Sequence, residues 1–285
     1  MSKEARRVYY AAMKYSFMTL GCPDWDLDTI CARGREYGYD GVDFRGYLAD
    51  LDITTLPMFT TGAAKTRARL RDAGLSVSGV SSSIRVCDPD ARQKNLEEAR
   101  RTIPVARALG APNVRIFGAG DEKRPRAELA KIGCAAIEEI LALDGARDIQ
   151  WVFETHDLWI KGRDCKLLLD AIPNRRFGAL WDMGHTSRVG GESPAESFAA
   201  IGKWVGYCHV KDAVYDKSHP LAMDDGWRYV IPGTGQLPLA ESIRLLKKSG
   251  YDGWLLFEHE KKWHPNLPEP EVVFPAFIKW VRGLT

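Results

Sequence analysis

Short runs of apolar, β-branched and aromatic residues alternate along this chain with longer amphipathic, charge-rich stretches. The short runs read as strands: KYSFMTL (14–20), GVDFR (41–45), LSVSGVS (75–81), NVRIFG (113–118), IQWVFE (149–154), FGALWD (177–182), VGYCHV (205–210) and GWLLFE (253–258). The stretches between them read as helices. In ARQKNLEEARRTIPVARALG (91–110), Leu96, Ala99, Ile103, Ala106 and Leu109 recur near a 3.6-residue spacing, and RAELAKIGCAAIEEILAL (126–143) is a second helical segment. Strands alternating with helices form a parallel sheet, and eight is the number that closes a barrel. The predicted fold class is α/β: one (β/α)8 TIM barrel spanning residues 1–285.

A weak internal repeat agrees with this. REYGYDGVDFR (35–45) resembles KSGYDGWLLFE (248–258). Each reads as a helix end, a glycine in the C-cap region, a Tyr-Asp-Gly turn and then a strand. The segments 211–238 and 258–271 read as long irregular loops. Both follow strands, where barrel loops carry function.

Composition narrows the class. A barrel of this kind takes about 250 residues, and this chain has 285, of which 45% are hydrophobic and 27% charged. Lys plus Arg is 40 against 38 for Asp plus Glu, a net charge of +2. Nothing here makes the broad positive field that nucleic acid or an anionic membrane would need. The six cysteines are scattered without a CxxC pair, which fits reduced thiols rather than a disulfide framework. MSKEARRVYYAAMKYSF, residues 1–17, has no uninterrupted apolar stretch of the signal-peptide kind, and no run reaches the ~18 apolar residues of a membrane helix. The expectation is a soluble, cytoplasmic protein.

The ends of the strands carry the chemistry. The fifth run ends at Glu154, the sixth at Asp182, the seventh near His209 and the eighth at Glu258. In a closed parallel barrel all four ends share one rim, where their side chains can converge. Three carboxylates and an imidazole suit a single divalent ion, Mn²⁺ foremost, with Mg²⁺, Co²⁺ and Zn²⁺ as other fits. Without a cation the carboxylates would repel one another. Taken singly, each residue has a plainer reading. An acid just past a strand is often a helix N-cap, and a lone histidine is usually structural. Four in one register favour the ligand reading.

These motifs resemble a known family. TLGCPDW (19–25), YDGVDFRG (39–46), FETH (153–156), WDMGHT (181–186), HVKD (209–212), PGTGQLPL (232–239) and YDGWLLFEHE (251–260) are similar to the xylose-isomerase-like TIM-barrel superfamily. That superfamily includes sugar phosphate isomerases and epimerases, ketose 3-epimerases, inosose dehydratase-like proteins and, more distantly, endonuclease-IV-type enzymes. The resemblance implies a metal on Glu154, Asp182, His209 and Glu258. It implies acid/base roles for Glu154 and Glu258, and a substrate contact for His185.

The chemistry then expected is isomerisation or epimerisation of a ketose or keto-sugar. The hydrogen beside a ketone is too weakly acidic for a free carboxylate, and a divalent ion on the ketone oxygen and its neighbouring hydroxyl would stabilise the enediolate. The same site would serve a dehydratase or lyase acting on a keto-inositol or 3-keto-glycoside. Further substrate candidates are His156, Lys211, Arg45 and Trp25, each with a structural alternative: an outer-loop role for His156, a solvated loop position for Lys211, a rim salt bridge for Arg45 and packing for Trp25. Asp212 is placed to orient a ligand from behind, and Trp227 and Trp263 to form part of a lid. PGTGQLP (232–238) reads as turn geometry before a phosphate site. His219, His259 and His264 read as structural or surface residues, with His259 facing away from the rim and Glu260 alternating back towards it. The expected partner is a small sugar, with no nucleic acid and no membrane, and a homo-oligomer is compatible. An endonuclease-IV-type reading meets the objection that SGVSSS (78–83) and RIFGAG (115–120) supply no histidine or acid. A non-catalytic sugar-binding barrel would be expected to lack one of the four ligands.

Overall fold

The computed structural model describes residues 13–285. Most of the leader reading, over residues 1–12, therefore lies outside them. The barrel strands are β1 (Lys14–Met18), β2 (Gly41–Phe44), β3 (Ser76–Arg85), β4 (Asn113–Phe117), β5 (Gln150–Glu154), β6 (Phe177–Asp182), β7 (Val205–Val210) and β10 (Trp254–Phe257). They close in the order β1-β10-β7-β6-β5-β4-β3-β2, every neighbouring pair parallel. This is the (β/α)8 barrel that the alternation predicts.

The helices are α1 (Leu27–Tyr37), α2 (Ala63–Asp72), α3 (Arg92–Leu109), α4 (Arg126–Leu141), α5 (Gly162–Ala171), α6 (Met183–Arg188), α7 (Pro194–Ile201), α8 (Leu239–Ser249) and α9 (Pro270–Arg282). The periodic face of α3 is buried at all five expected positions. The repeat is also physical. Gly38 and Gly250 close α1 and α8 in left-handed conformations, φ 82° and 81°. The amides of Tyr39 and Tyr251 then bond back to Gly34 and Leu246. β2 and β10, which follow, flank β1 on its two sides.

Alternation along the strands divides the apolar residues into two cores. Outward-facing Trp151, Phe153, Trp181, Cys208, Leu255 and Phe257 pack against the helices in one large cluster. Met18, Leu20, Val152, Leu180, Tyr207, Trp254 and Leu256 form a smaller one that fills part of the lumen. Each fully buried large side chain contributes roughly 1.5–3 kcal/mol.

The 211–238 segment departs from the irregular loop expected. β8 (Asp212–Tyr215) and β9 (Trp227–Val230) form an antiparallel hairpin outside the barrel, Asp212 opposite Val230. Its strands are four residues each, too short for their alternation to stand out beside the barrel strands. All six cysteines are unpaired. No helix among the described residues is long and apolar enough to cross a membrane.

Candidate metal centre

Inward-facing positions alternate with outward-facing ones, so Val152, Leu180, Tyr207 and Leu256 lie two residues below Glu154, Asp182, His209 and Glu258 on their strands. Strand register places Asp182 beside His209. The result is one cluster: Glu154, Asp182, His209 and Glu258 each offer a donor atom within 4.8 Å of the others. All four are buried, the most exposed being Glu258 at 9%.

Asp182 satisfies two readings at once. One oxygen, Oδ1, accepts the His185 amide at 2.8 Å and caps α6. That N-cap geometry explains the three-residue spacing of aspartate and histidine. The other oxygen, Oδ2, is buried and has no hydrogen-bond partner. Glu258 Oε2 and both ring nitrogens of His209 are likewise unpartnered. His209 Nδ1 lies 3.4 Å from Glu154 Oε1 and 3.3 Å from Glu258 Oε2. Buried polar atoms without partners are costly. Here they are carboxylate and imidazole donors aimed at one point, the set a divalent ion takes. The residues present fit the metal.

The electrostatics of the cluster are strained in the same direction. Burial pushes the Asp182 carboxyl up to about 7 against the pull of Lys211, and the charges of Glu258 and Glu154 push the same way. Burial also opposes ionisation of Glu154, but Arg115 and His209 hold its carboxyl down to about 2. Burial disfavours the His209 imidazolium, yet Glu258 and Glu154 hold it up to about 10. Lys211, only 3% exposed, sets its ammonium 3.0 Å from Asp182 Oδ2 and 2.6 Å from Glu258 Oε2. Its hydrogen bond goes to Glu260 Oε1 at 2.8 Å. The solvated-loop alternative for Lys211 does not hold. Glu260 lines the rim, as its alternation indicates.

His185 and His156 stand beside the cluster. His185 is buried, with Nδ1 3.3 Å from Asp182 Oδ2, and its ring meets that of His156 at 4.7 Å. His156 rests on Phe117 and pairs with Asp157 at 2.7 Å. With Glu154 the two histidines form a second group of donors within 4.8 Å. Arg45 ends β2, and its guanidinium joins no ion pair among the described residues, so the rim salt bridge is not formed. Trp25 is elsewhere. It is 7% exposed, packs on Phe274 and Phe17, and donates to Glu271 Oε1 at 3.2 Å. The structure gives it the packing role rather than a place at the cluster.

Asp212 is committed to the glycine loop. Its Oδ2 accepts the amides of Gly233 and Gly235, both at 2.9 Å. A carboxylate of the chain thus fills the nest of N–H groups that a phosphate would use. A side chain at Gly235 would put its Cβ 2.1 Å from Asp212 Oδ1. PGTGQLP is therefore a pinned turn. His259 points away from the rim, stacks on Phe257 and bonds Pro268 O at 2.9 Å. Trp227 packs on Tyr215, and Trp263 is 47% exposed.

Two residues at the site escaped the sequence reading. Tyr229, on β9, donates to Glu260 Oε1 at 3.2 Å, and Lys211 lies 5.8 Å from the centre of its ring. Arg115, on β4, lies 3.5 Å from Glu154 Oε2. A charged residue set between Val114 and Ile116 in a strand of known parity was the available signal for Arg115. Tyr229 had none, because its position depends on the hairpin.

The model of the xylose isomerase-like TIM barrel family matches residues 31–283. No curated protein matches the sequence. Solved structures share the fold at low identity. One is an IOLI protein with a binding zinc atom, at TM-score 0.77 and 15% identity over 95% of this chain and 98% of that one. A probable 3-DHS dehydratase from Bacillus anthracis matches at 0.72 and 18% over 95% and 99%. A 3-keto-D-glucoside 4-epimerase from E. coli matches at 0.71 and 14% over 95% and 99%.

Proposed function

This chain belongs to the xylose isomerase-like TIM-barrel family, and on that premise we propose that it is a metal-dependent isomerase or epimerase of a ketose or keto-sugar, working with Mn²⁺. The observation that carries the reading is the convergence of Glu154, Asp182, His209 and Glu258, with four of their buried donor atoms left without hydrogen-bond partners. These four residues would hold the ion. When bound, it supplies a positive charge against which a ketone oxygen and its neighbouring hydroxyl can gather negative charge.

The chain's own residues do the rest. Glu154 is kept ionised by Arg115 and His209, the state a general base needs. It takes the proton from the carbon beside the ketone. Glu258 stands across β6 and β7 from Glu154 and serves as the second acid/base group. Delivery of a proton by Glu258 to the opposite face inverts the carbon. Return of the proton to the adjacent carbon isomerises the sugar. His185 and His156 hold substrate hydroxyls, and Lys211 with Glu260 and Tyr229 frames the side towards the hairpin. The protein acts on a small molecule in the cytoplasm, free of nucleic acid and membrane.

Deuterium wash-in tests the reading. With Mn²⁺ and a panel of ketoses, inososes and 3-keto-glycosides, label enters the carbon next to the ketone and the carbon–oxygen skeleton stays intact. Loss of water or of an aglycone would instead make the enzyme a dehydratase or lyase. Incision of abasic-site DNA, or no exchange on any member of the panel, would overturn the proposal.

A further inference from the structure

Arg115 has no counter-ion of its own. Val114 and Ile116 on either side of it are buried in the outer core, so alternation turns Arg115 into the lumen. It is 3% exposed, and its Nε and Nη1 have no hydrogen-bond partner. The nearest carboxylate oxygen, Glu154 Oε2, stands 3.5 Å from Nη1, close enough for attraction but not hydrogen-bonded. The guanidinium lies 3.7 Å over the Phe117 ring, which fixes its plane.

A second guanidinium faces the same region. Arg45 leaves the end of β2 and borders a hollow of about 70 Å³ with Ser81, Ser82, Ser83 and Glu98. Burial, and then the like charge of Arg115, push the Arg45 guanidinium down to about 10. Glu98 is the carboxylate on that hollow, and it accepts the Ser83 amide at 2.5 Å. Two guanidiniums that feel each other, with donors unspent, favour a shared anion. A neutral hydroxyl would fill one donor and neutralise neither charge.

We propose that Arg115 and Arg45 form an anion subsite beside the metal centre, holding a carboxylate or phosphate carried by the substrate. This rests on the reading above and narrows it: the substrate is an acidic keto-sugar, either a keto-sugar acid or a keto-sugar phosphate. The anchored anion sets which carbon stands over Glu154 and Glu258.

The test is calorimetric binding to the Mn²⁺-loaded protein of three probes: a neutral ketohexose, its terminal phosphate and the matching keto-acid. At least one anionic probe binds about 10–100-fold tighter than the neutral one, the gain expected of charge-assisted hydrogen bonds. The tighter of the two anions identifies the group. In Arg115→Gln the ratio of anionic to neutral affinity falls to within about threefold of unity, and raised salt lowers it in the parent. Arg45→Gln, at the half-buried rim, lowers the same ratio and stands in where Arg115→Gln fails to fold. Equal binding of all three probes, or a ratio that survives both substitutions, overturns the subsite. Anion-selective binding without any deuterium exchange keeps the subsite and sinks the epimerase reading. Exchange with no anion preference does the reverse.

Discussion

The lumen of this barrel is built from two unlike halves. On β5, β6, β7 and β10 each inward position is apolar below and ionisable above: Val152 and Glu154, Leu180 and Asp182, Tyr207 and His209, Leu256 and Glu258. On β2, β3 and β4 the inward positions are polar well below the rim. Ser81 Oγ donates to Asp43 Oδ1 at 2.8 Å, Tyr207 reaches across to Asp43 Oδ2 at 3.0 Å, and Asn113 donates to Ser78 O at 2.8 Å. The first half leaves its polar atoms unspent, and the second spends nearly all of them on itself. Unspent donors mark where a ligand is expected, whereas a satisfied buried network fixes the shape of the wall behind it. Arg115 is the exception in the second half, and it points at the first.

The largest expected effect falls on the first half. Glu154→Gln and Glu258→Gln each lower the wash-in rate by about 10²–10⁴-fold, the usual span for losing a general acid or base. Full exchange in either variant would remove that glutamate from the chemistry.

Next is a contrast between neighbours of opposite parity. Glu258 faces the lumen, and His259 faces the apolar shell, where burial lowers its imidazole to about 4. Its pKa is depressed on folding, so the unfolded chain binds the extra proton between about 6.5 and 4. Stability is then fully present above about 6.5 and falls as the pH drops towards 4, by on the order of 3 kcal/mol. Thermal unfolding from pH 7.5 to 4.5 shows a decline that His259→Phe makes shallower. An unchanged slope in that variant would assign the decline to other groups.

The satisfied half should respond in stability alone. Tyr207→Phe removes the hydroxyl that joins Ser78 and Asp43. It costs about 1–3 kcal/mol in chemical denaturation, because Asp43 loses a buried partner, and it leaves the number of bound Mn²⁺ ions unchanged. Loss of metal from Tyr207→Phe would show that the halves are coupled. The smallest effect is on His185→Ala, which keeps its metal and loses about tenfold in kcat/KM. Loss of the metal there would make His185 a ligand.

The same division explains what was legible in the sequence. The eight strands stand out because each outward face is rich in large apolar residues that pack on helices. The four strand-end ligands stand out because an abrupt polar residue closes each apolar run. The double role of Asp182 was open as two competing readings, and only coordinates assign one oxygen to each. The polar half was obscure for a physical reason. Serines and a lone arginine inside strands look like diluted hydrophobic runs until closure of the barrel fixes which faces point inward. Tyr229 reaches Glu260 only through the β8–β9 pairing, a contact between residues 31 apart that no local pattern encodes. Trp25 shows the converse, since an aromatic beside a strand end packs as readily as it binds.

Metal stoichiometry tests the central claim most directly. The protein is stripped with chelator, refilled with Mn²⁺, dialysed and analysed for metal beside Asp182→Asn and His209→Gln. The account predicts a single ion per parent chain, a higher thermal midpoint on refilling, and affinity at least about tenfold weaker in each variant. A parent chain that takes up no ion, or variants that hold it as tightly as the parent, would contradict it.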